Sequence, residues 1–209
     1  MLNSVYWQAL RFYGSYNVTV TGITIQNSPQ FHLKFDNCEA VQVFNMTVSS
    51  PGDSPNTDGI HLQNSIDVSI HHTSLSCGNV FTNSWLADTE MCRPFSISDH
   101  LNTPTGDDCI SIQTGCSNVH VHDVNCGPGH GISIGGLGKD ATKACVSNVT
   151  VQNVSMNNTM AGVRIKTWQV NLCKNPIWKK CPFMFLTYCN TFMCVCVCVY
   201  PVIENNVGF

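Results

Sequence analysis

Short runs of alternating apolar and polar residues recur along the chain, most of them opened by Asn, Asp or Ser. They begin at Asn17, Ala40, Asp67, Asn118 and Asn148, and the second residue of each is Val18, Val41, Val68, Val119 and Val149. Alternation rich in Val, Ile and Thr predicts strands with one buried face. The successive spacings of these valines are 23, 27, 51 and 30. A strand-and-turn unit of about two dozen residues predicts a parallel β-helix, in which each coil buries its apolar face by stacking on the next. An antiparallel sandwich is the alternative, but it calls for turns every 8–12 residues and Asn-Gly or Asp-Gly hairpins.

Two stretches break the pattern. The spacing of 51 falls to 23 when the stretch 79–106 is removed, which brings Cys77-Gly78 against Asp107-Asp108. This stretch has no period, and a structureless segment of that length is unusual in a compact domain. The coil pattern also stops after Gln169, so residues 1–169 read as a partial β-helix and 170–209 as a divergent, Cys-rich tail. Within the tail, Cys194, Cys196 and Cys198 alternate with Val, as in an edge strand. They lack the His or second Cys pair of a zinc site.

Composition narrows the function classes. Charged residues make up 11% of the chain, the formal net charge is −3, and the mean hydropathy is +0.02. With Val and Ile abundant and charge scarce, the composition argues against disorder. The absence of a basic stripe argues against nucleic acid. The longest strongly apolar run, Phe192 to Tyr200, is too short for a membrane-spanning helix. Thirteen Cys and the sequons beginning at Asn17, Asn45, Asn148, Asn153 and Asn157 suit a secreted protein. The residues after Met1 lack the basic start and apolar core of a signal peptide.

Four stretches place polar residues in otherwise apolar coils: Asn56-Thr57-Asp58-Gly59-Ile60-His61, Gly106-Asp107-Asp108-Cys109, Gly127-Pro128-Gly129-His130-Gly131-Ile132-Ser133-Ile134-Gly135 and Arg164-Ile165-Lys166. Taken alone, each has a structural reading: Asp before Gly as a turn, Gly-Pro-Gly as a loop, Arg-x-Lys as a solvated face. Together they are spaced by coils. Asp108 and His130 stand one coil length apart, and so do Asp58 and Asp107 once the stretch 79–106 is discounted. Three carboxylates, an imidazole and two cations therefore converge on one face. Inverting glycoside hydrolysis needs a protonated acid at the leaving oxygen and a carboxylate that activates water on the opposite face. Crowded carboxylates raise one another's pKa, and Arg beside Lys suits a substrate carboxylate.

These four ordered motifs resemble those of the polygalacturonases of glycoside hydrolase family 28, in their plant branch, from about Ser4 to Gln169. The resemblance implies an all-β, right-handed parallel β-helix and inverting hydrolysis of α-1,4-galacturonosyl bonds in pectin. It makes Asp107 the general acid, Asp58 and Asp108 the pair that activates water, and His130 a support for the acid. Arg164 and Lys166 would bind substrate carboxylates, and Cys109 would be bridged to Cys126. It also implies a secreted cell-wall monomer that needs no metal or cofactor and acts on pectin, with no nucleic-acid or membrane partner. Against the family pattern the chain starts within the β-helix, carries residues 79–106 as an insert, and diverges after Gln169. Both breaks permit splice signals in the codons, so unspliced intron sequence is the expectation for them. Two rival readings are a truncated homologue that only binds oligogalacturonate and a lyase-like enzyme using Ca²⁺ on paired Asp.

Overall fold

In a computed structural model, the structure describes residues 9–54, 56–78, 106–139, 142 and 144–167, together with the backbone of 194–199. The first coil holds β1 (Leu10–Tyr13), β2 (Tyr16–Thr21) and β3 (Thr24–Gln26), and the second β4 (Leu33–Asp36), β5 (Glu39–Phe44) and β6 (Thr47–Ser49). Further strands follow: β7 (Ile60–Gln63) with β8 (Ile66–Ser76), β9 (Ile110–Ile112) with β10 (Ser117–Cys126), and β11 (Ile132–Leu137) with β12 (Cys145–Met156). The last described strands are β13 (Val163–Thr167) and β14 (Cys194–Val199).

Every pairing between these strands is parallel. One sheet runs β1-β4-β7-β9-β11-β13 and the other β14-β12-β10-β8-β5-β2, with β3 on β6 and β6 on β8. Successive strands of one sheet thus come from successive coils. The arrangement is a parallel β-helix, of the right-handed sense that parallel crossovers follow.

The core lies between the sheets and is built of columns. Val18, Val41, Val68, Val119 and Val149 are direct register partners, as are Val20, Val43, Ile70, Val121 and Val151. On the other side Leu33, Ile60, Ile110 and Ile132 stack, with Phe35, Leu62, Ile112 and Ile134 beside them, all fully buried. Val68 pairs directly with Val119, so the longest of the valine spacings is still a single coil step. The chain leaves and returns at one place: Gly78 and Gly106 form an antiparallel bridge, and the Asp107 amide donates to the Cys77 carbonyl at 2.7 Å.

Corners explain the Asn content. Asn supplies most of the described non-Gly residues with positive φ. One series, Asn17, Ala40, Asp67, Asn118 and Asn148, immediately precedes the valine column at φ between 51° and 56°. Asn tolerates this left-handed conformation better than most other non-Gly residues. The side chains also bond along the axis, Asn118 to Asp67 and Asn148 to Asn118 at 2.8 Å. The expectation of intron sequence falls on stretches outside the described residues, apart from Gly106 and from β14, whose backbone pairs with β12 at the sheet edge.

Candidate active site

The outward column of the six-stranded sheet runs Arg11, Lys34, His61, Ser111, Ser133 and Arg164 in register. The loops entering β7, β9 and β11 add the carboxylates and the imidazole. Counted back from the Ile60–Ile110–Ile132 rung, Asp58, Asp108 and His130 occupy one column. Asp107 lies one residue before that column, yet its carboxyl still donates a hydrogen bond to Asp58. The backbone locks this cluster: the Gly59 amide donates to the Asp108 carbonyl at 2.9 Å, and the His130 amide donates to that of Asp107 at 2.8 Å. Gly131, at φ 88°, must be glycine, because a Cβ there would lie 2.0 Å from the Ala161 carbonyl oxygen.

The three carboxylates sit in different electrostatic states. Burial, then the charge of Asp58, pushes Asp107 up to about 7. Burial also raises Asp58, to about 6, against the hydrogen bond from Asp107 that holds it down. The two form a coupled pair that shares a proton across mildly acidic pH. Asp108 behaves in the opposite way. Burial pushes it up, but Lys166, Ser133 and Arg164 outweigh burial and hold it below the ordinary carboxylate range. Lys166 Nζ donates to Asp108 Oδ2 at 2.7 Å, while Arg164 Nη2 and Ser133 Oγ donate to Oδ1 at 2.7 and 2.8 Å. Arg164 Nε in turn donates to Ser133 Oγ at 2.8 Å.

All six residues singled out in the sequence are therefore brought together: Asp58, Asp107, Asp108, His130, Arg164 and Lys166. His130 Nδ1 stands 4.0 Å from Asp107 and 3.9 Å from Asp108. The two cations are aimed at Asp108, a partnership the spacing did not disclose, but they retain outward-facing surface. The Lys166 side chain is 40% exposed. The Cys109–Cys126 bridge is present and ties the Asp107-Asp108 segment to the end of β10.

Two contributors lie within the stretches singled out in the sequence but were given no role there. Ser133 is wholly buried between Asp108 and Arg164. His61 Nδ1 lies 2.8 Å from Asp58 Oδ2, and its ring stacks on Phe31 at 4.1 Å. Burial, then the charge of Lys34, lowers His61 to about 4, so it is a neutral donor to Asp58. The repeat carried a signal for both, since His61 and Ser133 share the register column that ends at Arg164.

Asp107, Asp108 and His130 also offer three ligand atoms within 4.8 Å of one another. Ca²⁺ takes six to eight oxygen ligands, whereas both Asp108 oxygens here already accept from cations. This donor set does not fit a calcium-dependent lyase.

Comparison with known proteins agrees with the geometry. The family model of Glycosyl hydrolases family 28 matches residues 5–80 and 87–175. A polygalacturonase of Prunus persica is 42% identical over 159 residues, 76% of this chain and 33% of the relative. Polygalacturonase QRT2 of Arabidopsis thaliana is 40% identical over 161 residues, 77% of this chain and 30% of the relative. The chain thus spans about a third of the length of these relatives. Matched over most of its length, with the motifs of the match gathered on one face, the chain belongs to Glycosyl hydrolases family 28.

Proposed function

We propose that this chain carries the centre of an enzyme that hydrolyses α-1,4-galacturonosyl bonds in polygalacturonate with inversion. The observation that carries this reading is the unequal setting of three adjacent carboxylates: Asp108 accepts from Arg164, Lys166 and Ser133, while Asp107 lies beside Asp58, where burial and that neighbour push it up to about 7. Asp107 donates its proton to the glycosidic oxygen as the bond to the anomeric carbon breaks. Water attacks that carbon from the opposite face, and its proton passes to the Asp58 and Asp108 carboxylates. His130 lies close enough to Asp107 and Asp108 to steady the charge that develops there. The donors of Arg164 and Lys166 not used by Asp108 receive a uronate carboxylate, which a neutral sugar lacks. The names of the relatives support this substrate. We place the enzyme outside the cell, as a monomer acting on wall pectin. Among the described residues no helix is long and apolar enough to cross a membrane.

The test is reducing-end release from polygalacturonate at mildly acidic pH with EDTA present, where an acid of raised pKa remains protonated. Native chain should release ends, and Asp107→Asn should lower kcat by roughly 10²–10⁴-fold. Proton NMR should show the β-anomer as the first product. An unsaturated product, or a demand for Ca²⁺, would indicate a lyase. Retained binding of polygalacturonate with no cleavage would indicate a binding protein.

A further inference from the structure

Asp58 and Asp107 share one hydrogen bond, so the two carboxyls compete for its proton. The loop backbone does little to choose between them, because the Asp108 amide favours the charged form of both. A choice comes instead from the strand that follows Asp58. His61, on β7, points its Nδ1 at Asp58 Oδ2 from 2.8 Å, and the two side chains are only 10% and 7% exposed. A donor on the charged form of a carboxyl favours that form.

The preceding coil holds both groups in place. Phe31 stacks on the His61 ring at 4.1 Å and 18°. Lys34, the register partner of His61, sets its Nζ 5.4 Å from the centre of the Phe31 ring. Burial and this neighbouring cation keep the imidazole uncharged, so its single proton sits on Nδ1, where Asp58 accepts it. Asp58 is also pinned through its carbonyl, to which the His32 amide donates at 2.9 Å and His32 Nδ1 at 3.2 Å. The Ser28 amide donates to His32 Nε2 at 3.4 Å, which fixes that tautomer. With its backbone held in this way, Asp58 keeps its place when His61 is replaced.

We propose that His61 is a positioning residue: its Nδ1–H makes Asp58 the ionised partner and so leaves the shared proton on Asp107. The catalytic consequence rests on the hydrolytic reading above, in which Asp107 is the general acid. The other charged and titratable groups around the two are Lys34 and Asp36 on β4, Asp107 and Asp108 ahead of β9, Lys166 on β13 and the buried Cys77 thiol. Without the His61 N–H the proton moves toward Asp58, and an ionised Asp107 has none to give to the leaving oxygen.

Two variants separate the donor from the shape. His61→Leu keeps a buried side chain and removes the N–H, whereas His61→Asn carries an amide nitrogen at the place of Nδ1. In full chain labelled with ¹³C at the Asp carboxyls, the Asp58 resonance, assigned by its loss in Asp58→Asn, reports charge whether or not any substrate is cleaved. Its midpoint should rise by about one to two pH units in His61→Leu and stay near native in His61→Asn. An unmoved midpoint in His61→Leu, or an equal rise in both variants, would overturn the proposal. Native chain alone gives a second check: ¹⁵N imidazole spectra should show His61 neutral with its proton on Nδ1 between about pH 5 and 7. An imidazolium, or a proton on Nε2, would overturn it too. On polygalacturonate, His61→Leu should lower kcat roughly ten- to a hundredfold with KM little changed and the acidic limb moved to higher pH. His61→Asn should recover most of that loss. Carboxyl shifts as expected in a native chain that cleaves nothing would remove the hydrolytic reading and leave the proton assignment standing.

Discussion

A carboxylate buried beside cations and one buried beside another carboxylate answer to pH in opposite senses. Asp108 is the first case and Asp107 the second. Removing Lys166 by Lys166→Met leaves burial acting on Asp108 with less to oppose it, so its pKa rises. If Asp108 helps to activate water, the acidic limb of the kcat/KM profile then moves to higher pH, because the base is lost earlier as pH falls. A profile of the variant with an unmoved acidic limb would separate Lys166 from the ionisation of Asp108. The identity of these residues was readable from motif and spacing, because coil-length intervals place side chains on one face. Their partners were not. A spacing says which way Arg164 points, but whether it meets substrate or Asp108 depends on a short reach that no period encodes. Ser133 lay inside a singled-out stretch yet received no role for a related reason: a small hydroxyl in an apolar run looks like strand alternation until its two charged partners are seen.

Elements in this molecule are stabilised by columns, so one truncation is felt by the coils above and below. Ile110 is fully buried between Ile60 and Ile132 on β9. Ile110→Ala should cost about 2–5 kcal/mol, the usual range for a core truncation to Ala, read as a lower denaturation midpoint. Asn118→Val tests the corner instead of the core. At φ 56° a β-branched residue is strained, and the bonds to Asp67 and Asn148 are lost. Denaturation should show a loss of at least about 1–2 kcal/mol, the cost of the left-handed backbone alone. The eight-stranded sheet was legible because most of its strands are long enough to show period 2. The six-stranded sheet was harder to read, since its strands run only three to six residues and each alternation, as in Ile110-Ser111-Ile112, is too short to stand out by itself. Only the recurrence of an apolar pair once per coil, as in Ile60 and Leu62 or Ile132 and Ile134, marks it. The corners were legible in part: Asn or Asp at the head of most runs marked a recurring position, but only the positive φ values show these residues to be turning points.

At the scale of the molecule, the disulfide among the described residues joins the loop that carries Asp107 and Asp108 to the end of β10. Cys109 and Cys126 stand at a sequence separation of 17. Replacing both with Ala should cost about 3 kcal/mol by the chain-entropy estimate for a loop of this size, measured as a shift in the urea midpoint. The closing rung at Gly78 and Gly106 has a different kind of consequence. For the stack, the residues between them have no length: the register from Val68 to Val119 is the same whatever the detour contains. Loop closure costs only about 0.6 kcal/mol more for each doubling of such a detour. Yet the rung opens directly onto Asp107, so the detour departs beside the candidate active site while the core columns run on without it. Change at that point spares the core columns, so here a solenoid can vary its surroundings without rebuilding its spine.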